Sequence, residues 1–139
     1  NQFFDVACKL KSDFWLTSAQ LDFFKNHAVF LDYFRKIAKI YAPAHDLEQA
    51  KISATITDVL VASHIFTTSC KAGLEPKGLN FINELKSLDK EIYALGGLDS
   101  GNYKEAIKAG ASGVCFMSLA MSGDMELIKK IAESKNEQI

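Results

Sequence analysis

Apolar residues fall at positions 3, 6, 7 and 10 of the opening segment Phe3-Phe4-Asp5-Val6-Ala7-Cys8-Lys9-Leu10, the spacing of one face of a helix. Asp13-Phe-Trp-Leu-Thr17 then reads as a short strand, and Ser18-Ala-Gln-Leu-Asp-Phe-Phe24 as a turn or a helical turn. The run from Phe30 to Ala42 keeps helical spacing throughout. Its end, Lys39-Ile-Tyr-Ala-Pro43, is rich in β-formers and stops at a proline, which favours a helix followed by a strand near 37–43. Asp46 and Gln49 stand as an N-cap and its reciprocal partner three residues on, opening a helix over about 47–54. Asp58-Val-Leu-Val-Ala-Ser63 is apolar without alternation and reads as a buried strand. Lys77–Lys86 has apolar residues at 79, 81, 82 and 85, an amphipathic helix, and Glu91-Ile-Tyr-Ala-Leu95 is a strand closing on Gly96-Gly97. Asp99 or Ser100 caps a helix through Lys108 that Gly110 ends. Ser112–Met117 is a strand with Ser118 as its polar exit, and Met125–Ala132 is a closing helix before a polar, frayed tail.

Strands alternating with helices at this pace imply parallel βαβ units, and unbroken apolar strands imply burial on both faces. The fold class is α/β, as a (β/α) barrel or a doubly wound sheet. Five strands cannot close an eight-stranded barrel, so a barrel would lack about three βα units. The absence of an initiator methionine and the abrupt helical start at Asn1 look like a cut through a larger domain, so the expectation is one domain over 1–139 that, if a barrel, is the C-terminal part of a TIM barrel with the first three strands absent.

At 139 residues and 48% hydrophobic composition the chain has apolar material for one core and too little length for two. Its 16 basic and 17 acidic residues nearly cancel and the lysines are scattered, which argues against a nucleic-acid partner. No apolar run approaches the roughly 20 residues of a membrane span, and the N-terminus lacks a basic segment followed by a long apolar core, so the expected compartment is the cytoplasm. Cys8, Cys70 and Cys115 lie far apart, with neither a CxxC pair nor a histidine at ligand spacing; free thiols are expected, and no metal site.

The densest chemistry follows the strand at 58–63. His64-Ile-Phe-Thr-Thr-Ser-Cys-Lys71-Ala-Gly73 and Leu74-Glu-Pro-Lys-Gly78 bring together a histidine, hydroxyls, a lysine and flexible glycines where a rigid strand end aims polar groups into a loop. Histidine titrates near neutrality, so His64 is the leading acid–base candidate; the alternative is a hydrogen-bonded surface histidine at a strand end. His45, before a capped helix, suits a turn residue. Gly96-Gly97 and Ser118 stand where barrels hold a phosphate through backbone N–H groups, although two glycines can also simply make a turn. Cys115-Phe-Met117 reads as core, and Cys70 as either a reactive or a packed thiol.

Tyr93-Ala-Leu-Gly-Gly97 and Ala109-Gly-Ala-Ser-Gly-Val-Cys-Phe-Met-Ser118, taken with Thr68, Ser69 and Lys71, make the sequence similar to the thiamine phosphate synthase and TenI superfamily from about Asn1 to residue 132. The segment Ser63–Gly78 more closely resembles the TenI branch, the thiazole tautomerases. The synthase branch usually has proline at the position of His64 and threonine at that of Cys70. Gln2 departs from the synthase's magnesium-linked aspartate, and Ser63 from the glycine the family prefers before the histidine. The resemblance implies an isomerase that aromatises a carboxythiazole phosphate through proton transfer at His64, with substrate contacts from Thr68, Ser69, Lys71, Gly96, Gly97, Met117 and Ser118. Its implied partner is a phosphorylated thiazole, with no metal or cofactor, and the chain is expected to pair as a homodimer. Two alternatives accompany it. One is thiamine phosphate synthase, a transferase that joins hydroxymethylpyrimidine pyrophosphate to thiazole phosphate with magnesium; the other is a non-catalytic phosphate-ligand-binding or regulatory relative.

Overall fold

Five parallel strands lie side by side in chain order: β1 (Phe14–Trp15), β2 (Ile40–Ala44), β3 (Val59–Ser63), β4 (Glu91–Leu95) and β5 (Gly113–Cys115). A doubly wound sheet reverses its strand order at a switch point, and this one never does, so the sheet is the open arc of a (β/α) barrel. The computed structural model describes residues 4–123 and 125–134. Its helices are α1 (Phe4–Leu10), α2 (Ser18–Lys25), α3 (Ala28–Arg35), α4 (Leu47–Ile56), α5 (Gly78–Leu85), α6 (Tyr103–Lys108), α7 (Ser118–Met121) and α8 (Met125–Ser134). The expectations for Asn1, Gln2 and the frayed end of the tail fall outside the described residues. No helix of the described residues is long and apolar enough to cross a membrane.

Two elements differ from the sequence expectation. Residues 18–25 form a full helix, longer than the turn or helical turn expected over 18–24, because Gln20 Oε1 accepts the Thr17 backbone N–H at 2.9 Å and the helix buries Leu21 and Phe24. The ambiguous run after residue 30 divides as helix then strand, but the strand begins at Ile40. Ile37 and Ala38 close α3 by donating to the Phe34 carbonyl and pack against the core.

Alternate strand residues serve two layers. Leu60, Ala62, Ile92 and Ala94 face the helices and pack with Phe81, Ile82 and Leu85 of α5 and Ala106 of α6. Phe14, Leu16, Ile40 and Ala42 meet Leu21, Phe24, Leu31 and Phe34 in a second cluster. The other set forms an aromatic row across the opposite face. Trp15 stacks on Tyr41 at 6.3 Å between ring centroids, and Tyr41 meets Tyr93 edge-on at 5.7 Å. Val59 and Val61 lie between those tyrosines in register and are fully buried.

Pro43 is tolerated in β2 for a specific reason. The Lys39 and Tyr41 carbonyls accept from Phe14 and Leu16, so this parity of β2 faces β1, which has already ended when the chain reaches Pro43. The Pro43 carbonyl instead accepts the Ser53 hydroxyl of α4 at 3.2 Å.

Burial, the neighbouring Tyr93 and the carboxylate of Asp13 push the Tyr41 phenol up from 10.0 to about 12. The folded chain therefore holds this proton more tightly than the unfolded chain. Tyr41's contribution to stability is complete below pH 10.0 and declines as the pH rises toward about 12. Denaturant midpoints measured across that range are expected to fall more steeply for the parent chain than for Tyr41→Phe.

Candidate active site

The strands deliver their C-terminal ends to one cavity of about 370 Å³. Ser63, Leu95 and Cys115 are in register across β3, β4 and β5 and line it from beneath. The residues just past the strands line its rim: His45 after β2, His64 after β3, Gly96 and Gly97 after β4, and Met117 and Ser118 after β5. Active sites of (β/α) barrels occupy this end of the sheet because the strands fix the origin of each loop.

His64 is 4% exposed, so it is a buried cavity residue and not a surface histidine. Several contacts hold it. Its carbonyl accepts the Lys77 N–H at 2.9 Å, and Gly78 donates to the Ile65 carbonyl at 3.1 Å, so the intervening loop closes on the strand end it left. Ile65 and Phe66 donate to the carbonyls of Leu95 and Gly96, each at 3.0 Å, extending the β3–β4 pairing into the rim. The Ser63–His64 peptide is cis.

The ring Nε2 of His64 bonds the Leu74 carbonyl at 3.4 Å. A carbonyl only accepts, so Nε2 carries the hydrogen and the lone pair of the neutral ring sits on Nδ1. Nδ1 has no hydrogen-bond partner among the described residues and is not sealed from solvent, and His64 lines the cavity. An open lone pair on a held imidazole is what a general base requires.

Gly96 and Gly97 do more than turn the chain. A Cβ on Gly96 would stand 2.4 Å from the Cβ of His64, and one on Gly97 would stand 2.4 Å from the Thr67 carbonyl oxygen. Both have positive φ, at +96° and +66°. Asn102 Nδ2 pins the turn by donating to the Gly97 carbonyl at 2.9 Å. The glycines therefore let the β4 rim lie directly on the His64 segment.

Lys71 lines the cavity from the short 3₁₀ turn Ser69–Lys71, and no ion pair engages it among the described residues. The cavity's acid, Asp99, is already committed, since its Oδ1 accepts the backbone N–H groups of Gly101 at 2.7 Å and Asn102 at 3.1 Å. This leaves Lys71 free to meet an anion. Thr68 also lines the cavity, and its Oγ1 accepts the Cys70 N–H at 3.4 Å.

Of the residues expected at the site, His64, Thr68, Lys71, Gly96, Gly97, Met117 and Ser118 line this cavity. Ser69 does not; the 3₁₀ turn leaves it exposed on the loop. Cys115 is not plain core, because it is half-buried at the cavity wall, where burial pushes its thiol up. Cys70 is an exposed lining residue rather than a packed thiol. Sequence reasoning treated His45 as a turn residue, and it is a lining residue as well. Ser63, Leu95 and Leu98 were also missed as lining residues. The parity shared by Ser63 and Leu95 at the ends of two strands was the available signal.

Magnesium takes hard oxygen ligands, usually one or two carboxylates with substrate phosphates. Among the described residues no group of three His, Cys, Asp or Glu side chains could hold a metal ion, and Asp99 is engaged by backbone N–H groups.

An open (β/α)-barrel arc thus brings a histidine, a lysine and a glycine turn to one cavity at its strand ends. The family model for thiamine monophosphate synthase matches residues 33–120, a span that contains the whole cavity rim, and the chain belongs to this TMP-TENI family. The thiamine-phosphate synthase of Methanococcus maripaludis is 29% identical over 102 residues, covering 72% of this chain and 48% of that protein. The chain thus spans about half the length of that relative. The solved structure of thiamine phosphate pyrophosphorylase from Pyrococcus furiosus superposes with a TM-score of 0.65 at 23% identity, covering 86% of this chain and 58% of that one. That likeness bears on the fold, and it agrees with the partial barrel.

Proposed function

We propose that this chain handles a thiazole phosphate in thiamine formation, and that its own chemistry is the aromatising tautomerisation of a carboxythiazole phosphate. The observation that carries the reading is the unpartnered Nδ1 of His64, whose ring is held through Nε2 by the Leu74 carbonyl and whose Cα and Cβ lie against Gly96 at the end of β3. A ring proton is removed at one carbon and a proton is added at the exocyclic carbon. Such a shift needs a group that accepts protons near neutral pH. Lys71 neutralises the substrate carboxylate or the charge that develops on it, and the backbone at Gly96, Gly97 and Ser118 anchors the phosphate. This chemistry requires neither metal nor organic cofactor.

A second reading, thiamine phosphate synthase, is favoured by the names of both relatives. It requires a pyrimidine pyrophosphate, magnesium and release of pyrophosphate. One pair of assays separates the two: ultraviolet absorbance on mixing the chain with the non-aromatic carboxythiazole phosphate, and magnesium-dependent pyrophosphate release from the synthase substrates. Aromatisation without pyrophosphate release is the expected result. Pyrophosphate release without aromatisation would establish the synthase reading in its place, and silence in both with ligand bound would leave a binding protein.

A further inference from the structure

We propose that His45 is a second acid–base group of the same cavity, set against His64 so that one histidine removes the proton and the other supplies it; this rests on the tautomerase reading. His45 leaves β2 as His64 leaves the neighbouring β3, and both line the cavity. Ser63 joins the two. Its Oγ lies 2.9 Å from His45 Nδ1 and its carbonyl oxygen 3.3 Å from the same nitrogen, while its own peptide leads directly into His64.

That pair of contacts serves both charge states of His45. In the neutral ring, Nδ1 carries the hydrogen and donates to the Ser63 carbonyl, which only accepts, so the lone pair sits on Nε2. In the imidazolium, Nδ1–H donates to the Ser63 carbonyl and Oγ turns to accept. The imidazolium adds its second proton at Nε2, which has no protein partner among the described residues, and His45 lines the cavity. His64 is anchored the other way, through Nε2, with its lone pair on Nδ1. The His45 imidazolium thus offers a hydrogen at Nε2 and the neutral His64 ring a lone pair at Nδ1. The backbone of His45 is held independently of its side chain, because its N–H donates to Gln49 Oε1 at 2.9 Å.

The balance is simple. The ring C–H bond breaks and its proton goes to His64 Nδ1, while the electron pair moves through the conjugated system. The exocyclic carbon forms its new C–H bond with the Nε2 proton of the His45 imidazolium. The substrate is isomerised with no net change, one proton has passed from His45 to His64, and exchange with solvent resets the pair. The other titratable groups facing this cavity are Cys70, Lys71, Asp99 and Cys115, and neighbouring Asp46 is used to cap α4 at Gln49 N.

The test uses the wild-type chain with His45→Gln and Ser63→Ala, each checked for folding by circular dichroism and for product binding by calorimetry. His45→Gln is expected to lose about 100-fold or more in kcat, with binding retained and the alkaline limb of the pH–rate profile gone. Ser63→Ala keeps the imidazole and removes one acceptor from its charged form, so its alkaline limb should move to lower pH with a smaller loss of rate. With substrate deuterated at the ring carbon, the new side-chain hydrogen should come entirely from solvent. Deuterium carried over into the product, or an unchanged kcat and alkaline limb in His45→Gln, would overturn the two-histidine assignment while leaving the tautomerase reading intact. Absence of aromatisation by the wild-type chain would overturn both.

Discussion

Replacing His64 by glutamine should reduce turnover by about 10²–10⁴-fold and leave affinity for the thiazole phosphate product nearly unchanged. Glutamine is similar in reach, and its amide N–H can still donate to the Leu74 carbonyl that now takes Nε2–H. It cannot accept and return a proton near neutrality. In the proposed reading, phosphate and carboxylate are held by other lining segments, the β4 and β5 rims and Lys71, so binding has no reason to fall with the rate. Single-turnover absorbance gives kcat and titration calorimetry gives the dissociation constant. A loss in kcat alone marks an interaction made in the transition state; equal losses in binding and rate would mean that His64 holds the ligand or the rim.

Element type along this chain was legible because apolar spacing carries it. The unbroken run at 59–63 is β3, and Asp46 with Gln49 opens α4, with the Asp46 side chain accepting from Gln49 N. One detail of that cap differs from the reciprocal pattern, since Gln49 Oε1 takes the N–H of His45 rather than that of Asp46. The missed helix α2 had a signal of the same kind, Thr17 followed three residues later by Gln20, overlooked because the segment is short and begins with small residues. The alternation of strands and helices alone did not separate an arc from a doubly wound sheet; the family resemblance pointed to the partial barrel, and the strand order bears it out.

At the site, residue types were legible and their surroundings were not. His64 stood out from its place after an apolar strand. That it would be buried and bonded through Nε2 depends on Leu74, ten residues on, and on the close approach of Gly96 from another strand. His45 looked like a turn residue because its local sequence explains it fully, and its hydrogen bond to Ser63 joins residues from two strands. Cys115 looked like core because apolar neighbours surround it in sequence. Register with Leu95 and Ser63 brings it to the cavity.

The two glycines after β4 allow the largest structural test, because a turn that only binds phosphate and a turn that also seats the histidine respond differently to an added methyl group. In Gly96→Ala the new Cβ would lie 2.4 Å from His64 Cβ and 2.9 Å from its Cα, at a φ of +96° that L-residues avoid. The rim must move, and His64 moves with it. Misplacing a proton-transfer group by about 1 Å costs on the order of 100-fold in rate. In Gly97→Ala the clash is with backbone, 2.4 Å from the Thr67 carbonyl oxygen and 2.6 Å from that of Phe66, which no rotamer change relieves. Left-handed strain and overpacking together should then cost about 2–4 kcal/mol of stability. Gly101→Ala is the control: its φ is not positive, and its Cβ would meet only Asp99 Oδ1, at 3.2 Å. It should leave both stability and rate nearly unchanged. Denaturant melts and kcat for the three variants give the result: a stability loss in Gly97→Ala and a rate loss in Gly96→Ala are expected. If Gly96→Ala instead weakened product binding while kcat stayed at the parent value, the turn would serve the phosphate alone, and the seating of His64 would have to come from Leu74 and the closing of its loop at Lys77.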